Sequence, residues 1–192
     1  MQKGLGMSLI VKGSDGKDRE LCSTGTIQAV LTHVFDIGVQ PTKYGDKHQL
    51  IMSFELNENM SDGRPFMLSK TVNHTLGSEE HPSIMADIIV ALRGSMITPQ
   101  DREDGIDISS YIGCNLFLNI AQNTKANGGE GRRIMSYMAL PKGVPPIQIR
   151  FPMPSDSLQA WIQRERDKSI QNTAPKAPIL SAPRIPQDDI PF

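Results

Sequence analysis

Cysteine is scarce in this chain. Two thiols in 192 residues, Cys22 and Cys114, cannot build a disulfide framework and do not stand at a metal-ligand spacing. They read as reduced thiols, with Cys114 inside the fold. An excess of either charge is missing too. Twenty Lys and Arg stand against 21 Asp and Glu, for a net charge of −1. That balance excludes a uniformly basic coat, so any polyanion site has to be a local patch. Long apolar runs are absent. Met7–Val11, after Lys3, is too short for a secretory core and far too short to span a bilayer, so a soluble, cytoplasmic protein without a membrane partner is expected.

Catalytic signatures are also lacking. His33, His48, His74 and His81 stand at no metal-ligand spacing to one another or to a cysteine or glutamate. Gly128-Gly129-Glu130-Gly131 has no Lys-Ser or Lys-Thr after it and opens no helix, so it reads as a hairpin tip rather than a phosphate cradle. The acids Glu79-Glu80 and Asp101–Asp104 fall near helix starts, where the helix dipole favours them. No enzyme, cofactor or metal is expected.

What is present is a short, strand-rich body. Hydrophobic residues make up 38%, enough for one modest core. A short leading strand is read at Met7–Lys12. Thr26–Gly38 is rich in Val, Ile, Thr and Phe. His48–Leu56 alternates, with Leu50, Met52, Phe54 and Leu56 on one face and Ile51, Ser53 and Glu55 on the other. Arg64–Asn73 is the third main strand. Pro82–Arg93 shifts to a helical period, Pro82 in the first turn and Gly94 at the stop. Thr98-Pro99-Gln100-Asp101 resembles a capping signal. Cys114–Asn123 and Arg132–Leu140 follow as strands, with Cys114, Leu116, Leu118 and Ile120 on one face of the former and Asn115, Phe117 and Asn119 on the other. Three strands, a helix and two strands predict a mainly β fold: a five-stranded OB-type Greek-key barrel with one main helix between strands 3 and 4.

Composition changes after Lys142-Gly143, where Pro145, Pro146, Pro152 and Pro154 crowd together. The expected organisation is an OB-fold domain at 1–143, a Pro-rich flexible linker at 144–187 with a short helix near 156–168, and a tip at 188–192. From Ser169 onward the composition predicts a disordered tail.

A single-strand binder needs cations for phosphates and flat rings for bases. OB barrels use the faces of strands 2 and 3 and the loops between strands 1 and 2 and strands 4 and 5. Those regions hold Lys43, Tyr44 and Lys47; Arg64, Phe66 and Lys70, the last two on one face; Lys125, Arg132, Arg133 and Tyr137; and Phe117 on the polar face of its strand. Phe66 and Tyr137 serve equally as core residues. Phe117 and the Trp161 helix are also candidate self-association surfaces, which leaves a homo-oligomer open. The ending, Asp188-Asp189-Ile190-Pro191-Phe192, carries a second chemistry: an aromatic ring to fill a pocket, a proline that limits ordering entropy, and acids to meet a basic rim.

That ending resembles the acidic tip of bacterial single-stranded-DNA-binding proteins, with Gln187 where a further aspartate is usual. The body is similar to the OB-type single-stranded-DNA-binding proteins of bacteriophages and prophages in Gly25–Gly38, in Asp62-Gly63-Arg64-Pro65-Phe66 leading to Ser69-Lys70, and in Leu140-Pro141-Lys142-Gly143. The resemblance implies coating of single-stranded DNA during phage replication, recombination and repair in the cytoplasm of a bacterial host. It also implies recruitment of replication, recombination and repair proteins through Asp188–Phe192. Two alternatives stay open: an interaction module or decoy that binds host enzymes through the tip with little DNA affinity, and an accessory that anneals strands.

Overall fold

The computed structural model describes residues 20–124 and 128–173. The leading strand read at Met7–Lys12, Lys125 and the tip Asp188–Phe192 lie outside those residues.

Five antiparallel strands form one sheet: β1 (Gly25–Thr42), β2 (Gly45–Asn59), β3 (Pro65–Asn73), β4 (Asn115–Thr124) and β5 (Glu130–Ala139), in the order β3-β2-β1-β4-β5. Among the described residues β3 and β5 form no ladder with each other. The expected element order, three strands, a helix and two strands, is present, but the sheet is open along that seam, so the pairing gives an open sheet and not a closed barrel.

The alternation of β2 builds the core. Leu50, Met52, Phe54 and Leu56 face inward with Ala29 and Leu31 of β1, Phe66 and Val72 of β3, Leu116, Leu118 and Ile120 of β4, and Ile134 of β5. A bulge in β1 between Leu31 and His33 shifts the alternation, so Val34, not His33, continues the inner face. Helix α1 (Ile84–Arg93) lays Met85, Ile88, Ile89 and Leu92 on this core. Its cap is Ser83, whose hydroxyl accepts from the Ala86 N–H, so the helix starts two residues later than Pro82 suggests; Gly94 ends it, as expected. The Thr98 signal forms a full capping box with Asp101 at the start of α2 (Pro99–Asp104). Three hydrogen bonds, two from Thr98 and one from Arg93, hold the Asp101 carboxyl down to about 2.

Residues 144–173 do not leave the sheet. They cross the outer face, the one opposite the core. The Gln28 amide donates to the Pro145 carbonyl at 2.8 Å, and Asn115 exchanges two bonds with the Ile147 backbone at 2.9 and 3.0 Å. Glu55, fully buried, accepts from the backbone N–H groups of Arg150 and Phe151 and pairs with the Arg150 guanidinium at 2.7 Å. His33 Nε2 donates to the Pro152 carbonyl at 2.7 Å. Helix α3 (Asp156–Thr173) then packs Leu158, Trp161 and Ile162 on Phe35, Ile37 and Ile51. Its Glu165 carbonyl accepts from Gln40, and Arg166 donates to the Asp36 carbonyl.

Gly38 passes close beneath α3. It lies at a second β1 bulge with φ +71°, and a Cβ there would collide with the Ser169 side chain. Gly38→Ala combines left-handed strain with this clash, and is expected to destabilise the fold by about 1–3 kcal/mol. Trp161, the sole tryptophan, reports on it: its emission should shift to the red while the sheet signal in far-ultraviolet circular dichroism stays.

Candidate nucleic-acid interface

The most exposed of the expected residues sit at the β1–β2 hairpin tip. Pro41 pairs with Asp46 and Thr42 with Gly45, which leaves Lys43 and Tyr44 at the turn. Gly45, at φ +91°, makes the tight return without strain. The Thr42 hydroxyl donates to the Gly45 carbonyl at 2.6 Å and accepts from the Tyr44 N–H at 3.2 Å, which fixes the tip. Tyr44 is 76% exposed, and Lys43 Nζ lies 4.6 Å from its ring centroid. Lys47 is exposed nearby, opposite Gln40. The tip thus offers a free aromatic face beside cations.

Other expected residues are placed less openly. Phe66 is 6% exposed and belongs to the core, so it offers no face to a base; this corrects its reading as a platform. It does share a face with Lys70, but that face is the inner one, and Lys70 emerges half-buried at the margin of β3. Arg64 is exposed, yet its Nε and Nη2 both donate to Asp62 Oδ2, at 2.8 and 2.6 Å, so its charge is already met. Tyr137 is half-buried beside Phe54, centroids 6.4 Å apart, and burial, helped by the charge of Asp87, pushes its hydroxyl up to about 12. It is a core-margin residue before it is a platform. Phe117 is half-buried on the outer face of β4, opposite Gln28 and Met138.

Lys70, Arg132 and Arg133 come together. They line a cleft of about 400 Å³ between β3 and β5, with Ser69 and Asn123. Among the described residues no carboxylate lines it. Arg132 donates to the carbonyls of Cys22 and Gly131, at 2.6 and 3.2 Å, and none of the three cations makes an ion pair among the described residues.

Two features escaped the sequence. One is the burial of Ile51, Ser53 and Glu55, with Glu55 beneath the arm at Arg150 and Ile51 beneath α3. The other is a histidine pair. His48 Nε2 lies 2.7 Å from Asp36 Oδ1, and His48 Nδ1 lies 3.4 Å from His74 Nδ1. The Gln49–Asn73 register brings them together, which spacing along the chain does not reveal. Hydrogen bonds from the Gly38 N–H and His48 outweigh burial and hold the Asp36 carboxyl below its usual range. Among the described residues no group of three or more His, Cys, Asp or Glu side chains could hold a metal ion, and no helix is long and apolar enough to cross a membrane.

Compared with known proteins, the chain matches no family model and no curated protein.

Proposed function

We propose that this chain binds single-stranded DNA through an OB-type body and recruits partner proteins through Asp188–Phe192, coating the strand during phage replication and recombination. The observation that carries the reading is the hairpin tip: a 76%-exposed tyrosine on a fixed turn, with Lys43 against its ring and Lys47 nearby. A base stacks on the ring while the lysines meet its phosphates, a combination that tolerates any sequence. The strand order β3-β2-β1-β4-β5, with α1 between β3 and β4, supports an OB-type barrel that opens at the β3–β5 seam. The tip tethered by the tail raises the local concentration of recruited enzymes around the strand.

The test is fluorescence anisotropy with labelled oligo-dT and a duplex of equal length. Oligo-dT should bind, and duplex more weakly; equal affinity for both would sink the reading. Tyr44→Ala should weaken oligo-dT binding by about 1–3 kcal/mol, the worth of one stacked base. The net charge of −1 favours a second reading, an interaction module with little DNA affinity. Deleting Ile190–Phe192 separates the two: the DNA binder keeps its affinity for oligo-dT and loses partners, whereas the module loses every activity.

A further inference from the structure

We propose that single-stranded DNA runs along the cleft between the edges of β3 and β5, with its phosphates on Lys70, Arg132 and Arg133, and does not cross the outer face of β1 and β2. This rests on the DNA-binding reading above and gives it a path.

The outer face is already occupied. Residues 145–152 bond to Gln28, Asn115, Glu55 and His33, and α3 covers Phe35, Ile37 and Ile51. A strand crossing β1 and β2 would have to remove this arm and uncover Glu55, a buried carboxylate that repels phosphate. The β3–β5 seam has the opposite character. Among the described residues each of these strands is paired along one edge only, so their facing edges carry no ladder. No carboxylate among the described residues lines the seam itself; the acids Glu79 and Asp87, beside Lys70 and Arg133, and Glu20, beside Arg132, border adjoining clefts. Among the described residues Arg64, Arg93, Arg150 and Lys168 each pair with a carboxylate, and the seam cations pair with none. Mutual repulsion of like charges in a narrow cleft is relieved by a polyanion lying along it.

A second groove continues from the same residues. Lys70 and Arg133 also border a groove between α1 and β5 whose walls include Ile84, Met96 and Met135, all exposed. Glu79 and Asp87 line it as well, which makes it poor for phosphates. Phosphates at the seam and bases turned toward these apolar walls satisfy both linings. Thioether and aliphatic groups pack on any base, so the path needs no sequence preference.

The test uses the full chain and labelled oligo-dT at low salt. Lys70→Glu combined with Arg133→Glu should weaken binding at least about tenfold and flatten the salt slope by about 1.4. Lys142→Glu combined with Arg164→Glu makes the same charge change on exposed residues elsewhere, and should stay within about twofold of the parent. Circular dichroism identifies folded variants. Photo-crosslinking of the unaltered protein to a thymine-rich oligonucleotide gives a second readout free of folding effects: adducts in β3, β5 or α1 support the path, and adducts confined to 145–154 or to residues 49–59 of β2 overturn it. If the parent binds and the seam variant binds as tightly, the path is wrong while the function stands. If the parent does not bind oligo-dT, both fall. Poly-glutamate binding as tightly as oligo-dT at the same salt would also overturn the path, marking the cleft as a site for acidic protein segments.

Discussion

Arg150→Ala is expected to cost about 3 kcal/mol, because it takes one partner from a buried ion pair and leaves the other in place. Glu55 is fully buried, and Arg150 is its counter-charge at 2.7 Å. The same guanidinium donates to Asn59 Oδ1 and to the Leu56 carbonyl, both at 2.7 Å, so the substitution also strips two acceptors on β2. The backbone N–H groups of residues 150 and 151 still reach the carboxylate, which keeps the loss from being larger. For a chain of this size the melting temperature should fall by roughly 6–12 °C. Trp161 separates two outcomes. If its emission and the sheet signal lose structure together, the arm is an integral part of one cooperative unit. An earlier tryptophan transition would make the arm a separately melting layer and lower the cost assigned here.

Phe54→Ala is expected to have the largest effect on stability, about 3–5 kcal/mol. Phe54 is fully buried in the middle of β2, with Leu68 opposite on β3 and Leu31 opposite on β1, and its ring tilts against Tyr137 of β5. Its ring therefore ties strands from both ends of the sheet order, β3 and β5, into one core under α1. The cavity left behind cannot collapse without moving either the helix or the seam. Urea unfolding should show one transition at lower midpoint with an unchanged slope. A loss below about 1 kcal/mol would mean that the inner face is more loosely packed than its burial implies.

The inner half of this architecture was legible because its signals are local. The alternation of Leu50, Met52, Phe54 and Leu56, the i, i+4 spacing of Ile84, Ile88 and Leu92, and the Thr98–Asp101 capping box each lie within a few residues. The outer half was not. Ile51, Ser53 and Glu55 read as a solvent face because what covers them, Arg150 and α3, lies about a hundred residues further on. Proline-rich composition after residue 143 signalled a linker; Pro145, Pro146, Pro152 and Pro154 instead sit in an arm on the sheet, where the carbonyls of Pro145 and Pro152 accept from Gln28 and His33. The site divides in the same way. Lys43, Tyr44 and Lys47 were readable from a short polar turn. Phe66 was not separable from a base platform, because the same-face spacing with Lys70 does not say which face is inner. The gathering of Lys70 with Arg132 and Arg133 depends on how the two edge strands approach, which no local pattern encodes.

The salt dependence of oligo-dT binding tests the central claim most directly. A strand held by the seam cations and the hairpin lysines releases counterions, so the logarithm of the association constant should fall linearly with the logarithm of salt concentration, with a slope of about −2 to −4 for three to five phosphate contacts. A measurable low-salt affinity with that slope is the predicted result. No binding at low salt, or binding whose strength does not change as salt is raised, would contradict it.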